Sequence, residues 1–382
     1  MYVFDDEFPS FSKSLVTYSF QHKHASNVLA NPASAKFLME AENSDYIIQE
    51  IDSYPFKPLS ITLSYNFKQL FKNILPYTSK KFYGGEVIGG FNGLICLYFG
   101  FYRELKKQKE VFCGGCMPLK KFHHFILWNP FTGEHHAIPT PQGLRLNVCR
   151  GRNLSVTVSG FGYDSVNKTY KLVIGEGAIT QLYNLLTNAW KIVETIDINW
   201  DDYANFRLYY SDRSKPQFGY FVNGALHWIA SSRGIASIDL STEVCSFLNM
   251  PHCCSKTDSQ HRLNMGVVKG CLSVSCYRFV DKSVSIWMMK EYGREESWTN
   301  IINIKLSETD MLPGPRHLMV LKPPLWVSRD HDEMLFLVGG KLAYWDPKDE
   351  KLNYVEGLKF DSSFRGIVHV DTLVSPKPEV YG

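Results

Sequence analysis

Two cysteines and two histidines are the residues whose spacing could hold a metal ion. Cys113 and Cys116 have the CxxC spacing of zinc ligands, and His123 and His124 follow in the same stretch. Thiolate and imidazole groups are the ligands that tetrahedral zinc prefers in proteins. A glycine-rich hairpin explains the CGGC sequence equally well, because glycines favour tight turns. We expect the hairpin and no bound metal, with these four residues as the candidate ligands.

No familiar catalytic motif is present elsewhere in the chain. The sequence contains no HExxH, GxSxG or GxxxxGK[ST] pattern, and no GxGxxG follows a strand. These patterns mark metalloprotease, serine hydrolase and phosphate-binding sites. Asp239 and Asp346 come just before turns, where a carboxylate accepts backbone N–H bonds. We therefore expect no catalytic activity and no cofactor.

A basic insertion at residues 101–125 is the candidate surface for a partner protein. It carries Arg103 and five lysines against Glu104 and Glu110. Long loops in compact domains tend to be functional, and arginine and aromatic side chains carry much of the affinity at protein interfaces. The target-binding candidates, all in loop-like segments, are Tyr102, Arg103, Lys106, Lys107, Arg145, Arg207 and Tyr209.

The charge balance and the hydropathy pattern narrow the classes of partner. The chain has 41 basic and 38 acidic residues, a net charge of +3, which does not indicate a nucleic-acid or anionic-membrane partner. The acidic start MYVFDDEF does not resemble a secretory signal. The longest uncharged run, residues 87–102, is shorter than the roughly 20 apolar residues of a membrane span. We expect a cytoplasmic or nuclear protein, or both, that binds neither nucleic acid nor membrane.

The elements that position these residues are predicted to be strands. Residues 89–97 (GGFNGLICL), 125–139 (FILWNPFTGEHHAIP) and 159–173 (SGFGYDSVNKTYKLV) each alternate an apolar run with a turn. Asn92-Gly93 is a pair that tolerates positive φ, as hairpin turns require. Aromatic residues make up 14% of the chain, and they favour pleated, half-buried surfaces. The pattern predicts hairpins without crossover helices.

These hairpins form a repeat. Segments that begin near Gly93, Tyr170, Gly224, Gly270 and Met334 share one plan of strand, loop, strand, polar turn and returning strand. The predicted fold class is all-β, a β-propeller-like (kelch-like) array of about six to eight blades. The tryptophans beside the turns are expected to fill the space between blades. A short helical N-terminal segment is also predicted. Residues 66–75 place their apolar side chains on one helical face, which indicates a short packing helix or an irregular first blade, with a docking helix as the alternative.

An ordered series of motifs resembles the plant F-box-associated domain, including the S-locus F-box-like group. The series begins with NGLICL (92–97), LWNPFTG (127–133) and GFGYD (160–164), and continues with GYFVNGALHWIA (219–230) and IASIDLSTEVCSFLNMP (235–251). It ends with SIWMMKEYGREESWTNI (285–301) and HVDTLVSP (369–376). In that family these motifs form a β-propeller-like array. The resemblance therefore implies the same fold as the repeat.

Near the N-terminus the chain resembles only the second half of an F-box. KSLVTYSFQHKHASNVLANP (13–32) aligns without gaps with that half, which in the family grips the Skp adaptor. Phe20 and Ala25 stand where the family usually has Cys and Trp. The segment is therefore either a weak functional F-box or a lead-in to the propeller. The adaptor-binding candidates that the resemblance implies are Leu15, Val16, Phe20, Val28, Leu29 and Pro32.

The resemblance also implies a division of the chain and a function. Residues 1–40 are predicted as a remnant F-box segment, 41–80 as a lead-in, 81–376 as the F-box-associated propeller and 377–382 as a tail. Family members are typically substrate-recognition subunits of Skp–cullin–F-box ubiquitin ligases. The expected partners are a Skp-type adaptor, a cullin and an unknown target protein. The alternative is a protein-binding propeller without ligase attachment, because the F-box is incomplete.

Overall fold

Nearly all of the chain that the structure describes is β-strand or turn. The computed structural model describes residues 36–40, 45–51, 58–66, 86–104, 119–141, 147–148, 158–176, 179–193, 217–231, 234–252, 254, 261–306, 323–324, 326–327, 334–338, 341–355, 367–369 and 372–378. Within these ranges the one helix is a single 3-10 turn at Glu295–Ser297. No helix in the described part is long and apolar enough to cross a membrane.

The described residues form 26 strands. The first eight are β1 (Lys36–Glu40), β2 (Asp45–Ile51), β3 (Pro58–Asn66), β4 (Glu86–Phe91), β5 (Leu94–Glu104), β6 (Leu119–Trp128), β7 (His135–Ile138) and β8 (Asn147–Val148). The next nine are β9 (Val158–Asp164), β10 (Thr169–Glu176), β11 (Ile179–Asn184), β12 (Ala189–Val193), β13 (Gln217–Phe218), β14 (Tyr220–Val222), β15 (Ala225–Ser231), β16 (Gly234–Asp239) and β17 (Cys245–Asn249). The last nine are β18 (His261–Val268), β19 (Cys271–Arg278), β20 (Ser283–Met289), β21 (Trp298–Lys305), β22 (Trp326–Val327), β23 (Met334–Val338), β24 (Lys341–Asp346), β25 (Lys351–Tyr354) and β26 (Ile367–His369).

The described strands form six sheets, numbered here along the chain. Sheet 1 has the order β26-β1-β2-β3, sheet 2 β4-β5-β6-β7 with β8 on β6, and sheet 3 β12-β11-β10-β9-β13. Sheets 4, 5 and 6 are meanders of β14–β17, β18–β21 and β22–β25. All pairings are antiparallel except that of the short β13 with β9. The predicted all-β, propeller-like fold class is confirmed.

The sheets are arranged in a ring that the last strand closes. The first strands of successive sheets contact each other, β4 with β9, β9 with β14, and β14 with β18. At the closure, β26 pairs with β1 and also contacts β4. The end of the chain thus completes the sheet that the N-terminal strands begin. Strands β1 to β3 lie in the segments predicted as F-box remnant and lead-in, and they share this sheet with a strand of the predicted propeller domain.

The core is divided into layers between neighbouring sheets. One cluster packs sheet 2 on sheet 3, around Leu127 and Phe161, and another packs sheet 3 on sheet 4, around Val173 and Trp228. Two more lie between sheets 4 and 5 and between sheets 5 and 6. Because successive strand residues point to opposite faces, Leu172 and Val173 of β10 belong to different layers. This double burial explains why the strands read as continuous apolar runs.

Three tryptophans tie sheets 3, 4 and 5 each to the sheet before it. The indole N–H of Trp190 in sheet 3 donates to the carbonyl oxygen of Pro139, at 2.6 Å. Trp228 in sheet 4 donates to Ser159 at 3.1 Å, and Trp298 in sheet 5 donates to Asn249 at 3.0 Å. The expectation that tryptophans fill the space between blades is confirmed, and their N–H groups add directional bonds that sequence analysis did not anticipate.

The prediction of a short helical N-terminal segment is wrong for the residues described there. Those residues form β1, β2 and β3. The β-branched residues Ile47, Ile48, Ile61 and Thr62 favour a pleated strand, and pairing within sheet 1 adds to that preference. Of the predicted helix at residues 66–75, Asn66 is the last residue of β3, and the remainder lies outside the described residues.

Candidate recognition surface

One face of the ring, the turn face, carries short turns. The turns between the first and second strands of sheets 2, 4 and 5 are the pairs Asn92-Gly93, Asn223-Gly224 and Lys269-Gly270, each with φ between 48° and 78° at both residues. Positive φ at both positions is the requirement of a two-residue type I′ hairpin, and glycine meets it at little steric cost. These turns leave little chain on this face for contact with a partner.

A second set of turns on the same face is fixed by side-chain acceptors. Asn129, Asn184, Asp239 and Asp346 end the third strands of sheets 2, 3, 4 and 6, and the Oδ1 of each accepts N–H bonds from the two turn residues that follow. The distances at Asp239 are 2.8 and 2.7 Å. The predicted structural role of Asp239 and Asp346 is confirmed. In both carboxylates it is Oδ1 that accepts the bonds of the turn.

The opposite face, the loop face, carries an extension of sheet 2 that we call the arm. Beyond the pair Phe99↔His124, β5 and β6 continue to pair as far as Glu104↔Leu119. The arm consists of residues 100–104 of β5, residues 119–123 of β6, and β8, which pairs with Leu119 and Lys120. The basic insertion is therefore in part an ordered hairpin that projects beyond the sheet.

The base of the arm is anchored in the core. Phe99 and Ile126 are fully buried, and the rings of Tyr98 and Phe125 lie 5.3 Å apart. His124 is half-buried at the same level, and burial lowers the pKa of its imidazole from the ordinary value. Because this base packs on sheet 3, the arm begins from a fixed position.

The arm contains two of the predicted target-binding residues. Arg103 lies opposite Lys120, and Tyr102 lies opposite Lys121 in the strand register. The other target-binding candidates, Lys106, Lys107, Arg145, Arg207 and Tyr209, lie outside the described residues.

The candidate zinc ligands are only partly described. Cys113 and Cys116 lie outside the described residues, whereas His123 and His124 are consecutive residues of β6, opposite Gly100 and Phe99. Among the described residues, no group of three or more His, Cys, Asp or Glu side chains could hold a metal ion. The expectation of a hairpin with no bound metal stays a prediction. The adaptor-binding candidates Leu15, Val16, Phe20, Val28, Leu29 and Pro32 also lie outside the described residues.

Sequence analysis missed a charged cluster between sheets 3 and 4. The ammonium group of buried Lys171 on β10 lies 2.9 Å from Asp164 Oδ2 and 2.9 Å from Glu243 Oε1, and it also donates to the carbonyl oxygen of Leu240. Lys191 pairs with Glu243 from the surface. The signal in the sequence was one lysine in an otherwise apolar strand (TYKLVIG), because a lysine there needs a buried partner.

The electrostatics of this cluster favour a structural role. Burial acts to raise the pKa of Asp164, but hydrogen bonds from Asn167, Lys171 and Ser241 outweigh it and hold the pKa well below the ordinary value. Burial likewise acts to raise the pKa of Glu243, but its bonds with Lys191 and Lys171 outweigh burial and lower the pKa below the ordinary value. Both carboxylates are therefore charged near neutral pH. The cluster is an ionic tie between two sheets rather than a proton-transfer site.

A buried histidine joins sheets 4 and 5 in a similar way. His227 has no exposed surface, its Nδ1 lies 3.1 Å from the carbonyl oxygen of Tyr220, and its Nε2 lies 2.8 Å from the hydroxyl of Tyr292. A carbonyl oxygen can only accept, so Nδ1 carries the proton and Nε2 accepts from the tyrosine. Burial lowers the pKa of His227 to about 4, so the ring is neutral.

Comparison with known proteins identifies the family. The model of the F-box associated beta propeller domain matches residues 99–337, which is more than half of the 382 residues. The chain belongs to the F-box associated β-propeller family. The match begins at the base of the arm and ends in β23, so it takes in part of sheet 2, sheets 3 to 5 and part of sheet 6.

Three relatives in Arabidopsis thaliana carry F-box names. The chain is 25% identical over 295 residues to the F-box/kelch-repeat protein At3g23880, and 25% identical over 273 residues to the F-box protein CPR1. It is 26% identical over 321 residues to the F-box protein At4g22390. These alignments cover 76%, 65% and 76% of this chain, and 69%, 63% and 68% of the respective relatives. Among solved structures, a chain of the nidogen/laminin complex aligns at 9% identity and a TM-score of 0.40, over 88% of this chain and 99% of its own length.

Proposed function

We propose that this protein is the substrate-recognition subunit of a Skp–cullin–F-box ubiquitin ligase. The F-box associated propeller would hold the target, and residues 13–32 would hold a Skp-type adaptor that connects it to a cullin. The chain itself would supply binding and no catalysis. Such an assembly would place the protein in the cytoplasm, the nucleus or both.

The observation that carries this proposal is the family match over residues 99–337, together with the F-box names of the relatives. The geometry is consistent with target recognition. Short turns fill one face of the ring, whereas the arm projects from the other. Functional residues are often placed on connections that a rigid scaffold positions. The arm has such a scaffold, because its base lies in the core between sheets 2 and 3.

A second candidate function is a protein-binding propeller without ligase attachment. The pairing of β26 with β1 favours it, because the ring closes with residues that all follow the F-box-like segment. A ring that closes in this way does not require adaptor binding in order to fold. The two functions share the recognition surface and differ only in whether residues 13–32 bind the adaptor.

Co-purification with Skp-type adaptors tests the proposal. The full chain is compared with a Leu15→Glu/Leu29→Glu variant, which places charge in the predicted adaptor-binding segment, and with an Ile192→Glu control, whose side chain is 74% exposed on β12. A chimera carrying a complete F-box serves as the positive control. We expect the full chain and the Ile192→Glu control to retain the adaptor, and the double variant to lose it. Adaptor binding by the chimera alone would reject the ligase function in favour of the second candidate.

A further inference from the structure

The two Asn-Gly turns of the turn face differ in how far other parts of the chain cover them. Asn92-Gly93 and Asn223-Gly224 are the two Asn-Gly pairs in the sequence, and each joins the first strand of a sheet to the second. Both residues of each turn have positive φ, 48° and 75° in sheet 2 and 49° and 78° in sheet 4. The turns thus share a backbone conformation, and their surroundings separate them.

The turn in sheet 2 is covered by the C-terminal segment. Asn92 is half-buried and Gly93 is buried. The carbonyl oxygen of Asn92 accepts a bond of 2.9 Å from the hydroxyl of Thr372. Thr372 is itself held in place, because Asn129 Nδ2 donates to its carbonyl oxygen at 3.0 Å. This turn can therefore open only if the C-terminal segment is released.

The turn in sheet 4 has no such cover. Asn223 is exposed, and within the described part of the chain neither its side chain nor the N–H of Gly224 makes a hydrogen bond. A Cβ atom placed on Gly224 would meet nothing within 4 Å. The carbonyl oxygen of Gly224 accepts a bond of 3.0 Å from the Leu240 N–H, which lies in the same sheet. This turn can open without displacing another segment.

We propose that Asn223 is a site of spontaneous covalent modification, at which asparagine is converted to isoaspartate and aspartate. The backbone nitrogen of Gly224 loses its proton and attacks the side-chain carbonyl carbon of Asn223. The new C–N bond closes a succinimide ring, the bond from that carbon to the amide nitrogen breaks, and the amide leaves as ammonia after taking up a proton. Water then opens the ring at either carbonyl. No oxidant or reductant takes part.

The reaction favours the turn that opens more readily. Glycine places no Cβ beside the attacking nitrogen, and it permits the change in backbone conformation that ring closure requires. In a folded protein such a change takes place in a transiently opened state, so its rate follows the population of that state. The cover on Asn92-Gly93 lowers this population. Asn223 is therefore the more reactive of the two asparagines.

Conversion would alter the turn face at sheet 4. Both products carry a carboxylate where asparagine has a neutral amide, so the face would gain a negative charge. Isoaspartate also adds a carbon atom to the main chain of the turn, which is incompatible with type I′ geometry and with the bond between Gly224 and Leu240. The inference concerns the chemical state of the protein and does not depend on the proposed ligase function.

Peptide mass spectrometry of the folded full chain tests the proposal. The protein is incubated in mildly alkaline buffer and digested at intervals, and the peptides that contain Asn92 and Asn223 are compared within each sample. Conversion raises the mass of a peptide by about 1 Da, and enzymatic methylation of the new carboxylate identifies isoaspartate. We expect Asn223 to convert at least about tenfold faster than Asn92, because the covered turn must break an additional hydrogen bond and its packing in order to open.

Two controls separate the effect of the cover from that of the local sequence. In the urea-unfolded chain the two sites should convert at similar rates, because both are Asn-Gly pairs and neither is covered. Thr372→Val removes the bond to Asn92 and should speed conversion there by about fivefold, with Asn223 unchanged. Ser375→Ala is the matched control in the same segment, since exposed Ser375 accepts a bond from the Lys377 N–H, and it should leave both rates unchanged.

Four outcomes would contradict the proposal. Absence of conversion at Asn223 in the folded chain would reject it, as would conversion of Asn92 at an equal or higher rate. A difference between the sites that persists in urea would assign the reactivity to the flanking residues rather than to the fold. Unchanged conversion of Asn92 in the Thr372→Val variant would reject the C-terminal segment as the protecting cover.

Discussion

Lys171 on β10 and Glu243 in the turn after β16 form an ion pair across two sheets, with 2.9 Å between Nζ and Oε1. The lysine side chain is 2% exposed and also contacts Asp164, which is fully buried. A buried cation is stable only when its partners replace the water that it has lost. The pair therefore fixes the separation of sheets 3 and 4 in a way that an exposed pair would not.

Replacement of Lys171 by methionine should destabilise the protein by about 3–5 kcal/mol, because it leaves the Asp164 carboxylate buried without its cation. Urea unfolding followed by tryptophan fluorescence measures the change. Lys191→Met is the matched control, since Lys191 pairs with the same Glu243 while its side chain is 55% exposed. The control should cost at most about 1 kcal/mol. Equal losses in the two variants would contradict a specific role for the buried pair.

The buried neutral state of His227 predicts a pH dependence of stability. An unfolded histidine binds a proton below about pH 6.5, whereas folded His227 does not do so until about pH 4. The contribution of His227 to stability is therefore greatest above pH 6.5 and falls as the pH is lowered from 6.5 to 4. The loss from this residue should be on the order of 3 kcal/mol.

The difference in unfolding free energy between the unmodified chain and His227→Gln isolates this contribution. Glutamine cannot titrate, yet it keeps one donor and one acceptor for Tyr220 and Tyr292. We expect the two stability curves to converge as the pH falls from 6.5 to 4, because only the unmodified chain loses the histidine contribution. Parallel curves would show that His227 does not titrate in this way.

Docking of the C-terminal segment on sheet 2 should depend on the Asn129 amide. Its Nδ2 donates to the carbonyl oxygens of Thr372 at 3.0 Å and Val374 at 2.8 Å, while its Oδ1 accepts bonds from its own turn. Asn129→Asp keeps the acceptor and removes the donors, so the two carbonyl oxygens lose their partner. We expect a loss of at least about 2 kcal/mol and faster proteolysis near residue 372.

Asp239→Asn is the matched control for that substitution. Asp239 occupies the equivalent position in sheet 4, where its Oδ1 accepts the same type of turn bonds. The asparagine retains an acceptor there, and the expected change in stability is below about 1 kcal/mol. A large loss in both variants would mean that the turns, rather than the docked segment, respond to the substitution.

The structural features that could be predicted from the sequence are those that depend on residues close together along the chain. Hairpin turns such as Asn92-Gly93 and turn acceptors such as Asp239 have local signals, because positive φ and side-chain capping restrict residue type. The pairing of β26 with β1 has no such signal, since it joins residues far apart in the chain. Of the helix predicted at residues 66–75, the structure describes Asn66 alone, at the end of β3, so that helix stays a prediction.

The candidate site was predictable in charge but not in geometry. The basic composition of residues 101–125 indicated a partner surface, and the structure places part of it in a paired hairpin. Arg103 lies opposite Lys120 because of the register between β5 and β6. The sequence does not determine that register when the nearest turn signal is far along the chain. The Lys171 cluster and the contact of His227 with Tyr292 could not be predicted. Each joins residues of two different sheets, so predicting it requires the position of one sheet relative to the other.

Close packing of sheet 3 on sheet 4 should make Gly162 intolerant of alanine. A Cβ atom at that position would lie 2.3 Å from Phe221 Cδ2 and 2.9 Å from Leu240 Cδ1, so both neighbours would have to shift. We expect Gly162→Ala to destabilise the protein by about 1–3 kcal/mol. At Gly89, on the first strand of sheet 2, the nearest contact of a Cβ would be 3.5 Å, and Gly89→Ala should cost less than about 1 kcal/mol. Thermal unfolding of both variants measures the difference, and a tolerated Gly162→Ala would show that sheets 3 and 4 are packed less tightly than described.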